Sequence, residues 1–138
     1  MEIKVRETRE EDFEAVKGLL EKEGVIPGFS KNMFRKMLKR NKGFYLVAES
    51  QGEVIGTVFG LHDGNLLGSV YKLAVAKEFQ RQKVATILCK ELLKKFRELN
   101  VDTVYSLVHK VNSKSIQFFK KLGFRIREDV YLMDNSKE

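Results

Sequence analysis

Phe13, Val16, Leu19 and Leu20 recur at helical spacing and form one apolar stripe. Thr8 with Glu11 before them reads as a capping box, predicting a helix over residues 8–22 after a short strand at 3–6. Gly24 and Pro27-Gly28 stop the pattern. Met33, Phe34, Met37 and Leu38 predict a second helix over 30–40, closed by residues 41–43. Residues 44–49, 54–61 and 66–75 are then rich in β-branched and aromatic positions, separated by Gln51-Gly52 and Asp63-Gly64-Asn65. Those are hairpin turn signals, so three antiparallel strands follow in series. Val84, Leu88, Leu92, Phe96 and Leu99 share one face of a helix over 83–99 that packs on the sheet. A strand at 103–108, a helix at 113–122 ended by Gly123, and a strand at 124–133 complete the order βααβββαβαβ. A strand, helix and strand in succession after Val75 make a parallel crossover. The fold class is therefore α+β, a mixed and mostly antiparallel sheet flanked by helices.

At 138 residues, with 43% hydrophobic and 33% charged positions, the chain suits a single domain over 1–138 with its own core. Residues 134–138 are polar and expected to fray. No apolar run is long enough for a membrane span, and the first residues lack the apolar core of a signal peptide. Cys89 is the single cysteine, which excludes an internal disulfide and fits a reducing, cytoplasmic setting. Two distant histidines and that cysteine supply no metal-ligand spacing. A net charge of +7 suits nucleic acid, acidic protein surfaces or a polyanionic cofactor. No nucleic-acid-binding module is recognisable, so nucleic acid ranks last.

Two segments carry candidate chemistry. In LAVAKEFQRQKVATIL an apolar strand leads through a short loop into a helix, and backbone amides at a helix start are a ready anion site. In NSKSIQFFKKLGF, Asn112 precedes a short helix with an aromatic pair and a terminal Gly-Phe. The first segment resembles the cofactor loop of the GNAT superfamily of N-acetyltransferases, Gln/Arg-x-x-Gly-x-Gly/Ala, with Gln80 and Ala85 matching and Lys83 standing at the glycine. Asn112, Ser115, Phe118-Phe119 and Gly123-Phe124 reproduce the order of the family's second segment. The element order is similar over nearly the whole chain.

The resemblance implies acetyl-CoA as cosubstrate and an amine acceptor, small molecule or protein, acetylated by direct attack. It implies that backbone groups of Leu73 and Val75 bind the pantetheine arm where the two parallel strands splay. The amides of Arg81, Gln82, Lys83, Val84, Ala85 and Thr86 would cradle the pyrophosphate, with Gln80 in the same loop. Asn112 would touch the pantetheine arm or simply cap its helix, with Ser115 and Phe119 beside the cofactor. At Lys83 two cases are open. A positive φ would cost on the order of 1 kcal/mol, whereas a negative φ would leave the ammonium free to attract phosphate.

Many GNAT members place a tyrosine beside the cofactor sulfur where this chain has Phe119. Strand parity puts Ser69, Tyr71, Leu73 and Val75 on one face, which makes Tyr71 the best hydroxyl and Ser69 a relay candidate. His109, at a strand end, has a suitable ordinary pKa for proton transfer. His62 reads as a turn residue and Cys89 as a buried apolar one. By the same resemblance the acceptor would lie along residues 26–34, with Phe29, Lys31 and Phe34. The competing reading is a module that binds an acyl-CoA or assembles with partners without turnover. Oligomeric state is open.

Overall fold

The computed structural model describes residues 2–22, 28–64, 66–80 and 83–137. Two compact units divide the chain, Met1–Ser106 and Leu107–Glu138.

The first unit holds β1 (Lys4–Glu7), α1 (Phe13–Lys22), α2 (Lys31–Lys39), β2 (Tyr45–Ser50), β3 (Glu53–His62), β4 (Leu67–Val75), α3 (Val84–Glu98) and β5 (Thr103–Tyr105). Its sheet runs β1-β2-β3-β4-β5, antiparallel up to β4, with β4 and β5 parallel. The mixed, mostly antiparallel sheet and the crossover are as expected. The sequence stripes account for the two covering layers. Phe13, Val16 and Leu20 of α1 and Phe34 of α2 pack with Tyr45, Val47, Phe59 and Ala74 on one face. On the other face lie Val84, Leu88, Leu92 and Phe96 of α3, all fully buried, whereas Leu99 at the helix end is exposed.

That second layer sits close because β3 and β4 present glycines to it. A Cβ on Gly60 would lie 2.6 Å from a Leu92 methyl, and one on Gly68 2.8 Å from the Phe96 ring. Gln51 and Gly52 both take positive φ in the β2–β3 hairpin, as a two-residue turn matching strand twist requires. Asp63 closes the next turn by accepting from Leu66 N and Leu67 N at 2.8 and 3.1 Å. Asn65 lies outside the described residues.

Two boundaries differ from the sequence expectation. The N-terminal cap is displaced by one residue: Arg9 N donates to Asp12 Oδ2 at 2.7 Å, and Glu10–Asp12 forms a 3-10 turn ahead of α1. Thr8 continues the strand pairing instead: its N–H donates to the carbonyl of Tyr45 at 2.8 Å and so is not available to the Glu11 carboxylate of the expected capping box. Arg6 fixes the arrangement, with Nη1 and Nη2 on the two Asp12 oxygens at 2.9 and 3.0 Å and Nε on Glu49 at 3.1 Å. The strand expected at 103–108 is the shorter β5.

The second unit contains α4 (Ser113–Lys121), stopped by Gly123 at φ 96° in the left-handed helix cap that glycine favours. Phe119 packs against Phe118 and Phe124, with centroids 5.1 Å away in both pairs. The strand expected at 124–133 is absent: no ladder forms there, and Ile126, Val130, Leu132 and Met133 are exposed. Alternating apolar residues specify a strand only when a neighbouring edge takes their backbone hydrogen bonds.

Candidate functional site

β4 is irregular where the site is expected. Thr57 pairs with Ala74 and Phe59 with Tyr71, so Val58 alone stands opposite Lys72 and Leu73. This is a β-bulge, and Lys72 carries it in the left-handed region at φ 54°. The extra residue reverses side-chain parity beyond it. Phe59 and Tyr71 share the α1/α2 face with Ala74, whereas Val75 lies opposite Gly56, whose Cβ position meets Val84 and Leu88 of α3. The expected single face of Ser69, Tyr71, Leu73 and Val75 is thereby corrected: Ser69 and Tyr71 keep it, Val75 does not.

The bulge also marks where β4 outruns its parallel partner. Pairing with β5 ends at Ser69 and Tyr105, followed by Ser106 Oγ on the Val70 carbonyl at 3.5 Å. Among the described residues, β4 from Tyr71 to Val75 has no strand beside it on that side. Leu73 and Val75 thus lie on the stretch of β4 that has no neighbouring strand on that side among the described residues. The Val75 carbonyl is occupied from within: Gln80 Nε2 donates to it at 3.0 Å, tying the loop to the strand end. Gln80 therefore has a structural bond that its motif position did not announce.

At the loop's end Lys83 is the N-cap of α3, with φ 64° and ψ 19°. The positive-φ case holds, and the lysine bears the strain that the family's glycine avoids. Its side chain makes no cap, and the first turn, Val84, Ala85 and Thr86, holds no acidic residue. The amides at this helix start lack intrahelical acceptors by geometry. An uncapped helix start with its positive dipole end suits the phosphates of a CoA. Arg81 and Gln82 lie outside the described residues.

Ser69 is buried and Tyr71 is two-fifths exposed, alternate residues on one face. Lys72 Nζ sits 4.1 Å from the centroid of the Tyr71 ring. Cys89 is fully buried in α3, and burial pushes its thiol up to about 12, far from a reactive thiolate. His62 accepts from Gly64 N at 3.0 Å through Nδ1, confirming its turn role. In the second unit His109 is exposed and its carbonyl receives Asn112 N at 2.9 Å. Asn112 Oδ1 caps α4 through Ser115 N at 3.1 Å. Phe119 is buried among phenylalanines and offers no proton.

A groove of about 360 Å³ opens between α2 and the Tyr71 face of the sheet. Lys36, Arg40 and Lys72 line it above Met37 and Phe59, with Tyr71 in its wall. None of the three cations pairs with a carboxylate among the described residues.

The Acetyltransferase (GNAT) family profile matches residues 4–124. The chain belongs to the GNAT family. An acetyltransferase of Photorhabdus laumondii is 32% identical over 127 residues, covering 91% of this chain and 88% of that one. Among solved structures, Ard1 from Thermoplasma volcanium superposes with a TM-score of 0.85 at 24% identity, covering 92% of this chain and 85% of that one. Rv2747 from Mycobacterium tuberculosis, solved in complex with CoA, reaches 0.77 at 21% identity over 94% of this chain and 76% of that one. At those identities the two structures establish a shared GNAT fold.

Within this GNAT chain the expected acceptor residues need correction. Phe29 and Phe34 are buried in the core beneath α1 and line no open surface, and Ile26 lies outside the described residues. The groove is lined instead by Met33, Lys36, Met37 and Arg40 of α2, a stripe beside the one that buries Phe34, together with the bulge. The three- and four-residue spacing of that stripe is visible in the sequence. The bulge that adds Lys72 to it is not.

Proposed function

We propose that this GNAT protein transfers an acetyl group from acetyl-CoA to an amine by direct attack. The supporting observation is the start of α3, entered through left-handed Lys83 whose side chain makes no cap, following the part of β4 that has no neighbouring strand on one side among the described residues. An open strand edge offers amide hydrogen bonds to pantetheine, and the helix start offers amides to pyrophosphate. When bound, acetyl-CoA supplies the carbonyl carbon that a neutral amine attacks and the sulfur that leaves. A C–N bond replaces a C–S bond while one proton passes from nitrogen to sulfur, so no redox partner is needed.

Tyr71 is our candidate for the hydroxyl that delivers this proton. It is the exposed phenol in the groove wall, and buried Ser69 on the same face would relay a proton toward it. His109, exposed and beyond the end of β5 rather than at a strand end, is retained only as an alternative for proton transfer. Asn112, Ser115 and Phe119 are assigned to cofactor binding by family resemblance, and the cap made by Asn112 is compatible with that role. The lone buried cysteine favours a cytoplasmic setting.

Phe119 favours a second reading, an acyl-CoA-binding module with little turnover, because its packed ring replaces the family's tyrosine. Thermal shifts with acetyl-CoA, CoA and an oligonucleotide separate ligand classes, since binding to the native state raises apparent stability. Failure of both CoA species at millimolar concentration would reject both readings. Free-thiol release with an amine panel then separates enzyme from binder.

A further inference from the structure

Three cations converge on the groove beside Tyr71 without a carboxylate partner among the described residues. Two of them have an ordinary structural explanation. Lys36 and Arg40 lie near the C-terminal end of α2, where positive charge complements the helix dipole. Lys72 lies at no helix end: it comes from a strand, on a backbone conformation that disfavours any residue with a Cβ. Its ammonium folds back over Tyr71 and so faces the same groove. The floor of Met37 and Phe59 is apolar, and no carboxylate is among the described lining residues.

We propose that the groove takes a small acceptor amine that also carries a carboxylate, of amino-acid to dipeptide size. This rests on the acyl-transfer reading above and names its acceptor class. The volume falls at the low end for small-molecule sites, roughly 300–1,000 Å³. Lys36, Arg40 and Lys72 hold the carboxylate, while the apolar floor receives an aliphatic side chain. The same cations raise the cost of an ammonium ion nearby and so favour the neutral amine that can attack. A polyamine or amino sugar has its charges reversed for this groove and is repelled.

The test uses a matched pair, glycyl-leucine and glycyl-leucinamide, which share an amine and differ in one carboxylate. Each is compared by thiol release and by calorimetric binding to the CoA-loaded protein, with spermidine and an acidic decapeptide alongside. The free acid is expected to exceed the amide by about tenfold in kcat/KM and in affinity at low salt. That ratio should shrink at high salt, where exposed charges are screened. The Lys36→Gln/Arg40→Gln double variant should reduce it to within about twofold, with the acetyl-CoA thermal shift unchanged.

An amide or spermidine that matches the free acid in both measurements overturns the inference and leaves acyl transfer standing. A decapeptide preferred over the dipeptide overturns the small-acceptor assignment. Absence of any CoA-induced shift rejects the acyl-transfer reading instead. Calorimetry on the free protein then decides the carboxylate preference by itself.

Discussion

Replacing Lys83 by glycine isolates the strain at the start of α3. Lys83 holds φ 64° and ψ 19°, exposed and with no side-chain cap, so the native state gains little from its side chain in return for that conformation. A residue with a Cβ pays roughly 1–2 kcal/mol there. Glycine removes that cost but adds unfolded-state entropy worth roughly 0.5–1 kcal/mol. The net expectation is a stabilisation of about 0.5–1 kcal/mol, or a Tm higher by about 2–4 °C for a domain of this size. Lys83→Ala is the control, because it deletes the same ammonium yet retains the Cβ and therefore the strain. Urea unfolding of the three proteins should rank glycine above lysine and alanine, with unchanged m-values.

The pair also separates backbone from charge in ligand binding. An exposed ammonium near phosphate contributes roughly 0.2–1 kcal/mol, so both variants should weaken acetyl-CoA about 1.4- to fivefold and to the same degree. Weakening in alanine alone would mean that glycine reshapes the loop toward a better cradle. Equal stability of the glycine and alanine variants would refute the strain argument, since no other difference between them favours glycine at this position.

Tyr71→Phe should lower kcat while leaving the acetyl-CoA thermal shift in place, and unchanged turnover across pH would reject the proton-donor role. Gly60→Ala should destabilise by about 1–3 kcal/mol in urea unfolding, because its Cβ would sit 2.6 Å from buried Leu92. Cys89 should resist thiol reagents in the native protein and react once urea unfolds it; prompt native labelling would contradict its burial. Burial pushes the Asp12 carboxyl up, but hydrogen bonds from Arg6 and Arg9 N and their charges carry it below its ordinary value. Its stabilisation is therefore full above about pH 4 and lost as pH falls through the lowered folded value. Acid unfolding of Asp12→Asn should show a shallower loss of stability than the parent below that pH, and an identical profile would remove Asp12 as the cause.

The elements legible in the sequence are those set by local periodicity. The stripes of α1 and α3 name residues that are buried, Leu99 at the end of α3 excepted, and Gln51-Gly52 marks its hairpin. What failed depends on partners distant in sequence. Thr8 loses the helix cap to Arg9 because β2 claims its amide, and the alternation over 124–133 finds no strand to pair with. Phe29 and Phe34 look like an open acceptor surface until Phe13 and Tyr45 close over them. In the site, the motif located the start of α3 correctly, but it gave no hint that Gln80 spends its amide on the Val75 carbonyl.

Lys72 shows why those limits matter for function. One additional residue in β4 does three things at once: it reverses parity so that Val75 turns to the α3 face, it lies just beyond the last β5 pairing, and it brings a cation into the groove. A regular strand would keep Val75 on the face of Tyr71 and present Lys72 on the opposite side. The proposed cofactor edge and the proposed acceptor groove are then two consequences of a single backbone distortion, one on its hydrogen-bonding edge and one on its face. Because a left-handed lysine is costly, the distortion must be held by β3 pairing on both sides, through Ala74 with Thr57 and Tyr71 with Phe59. If the groove takes the acceptor as proposed, its specificity is set by β4 geometry as much as by the α2 stripe.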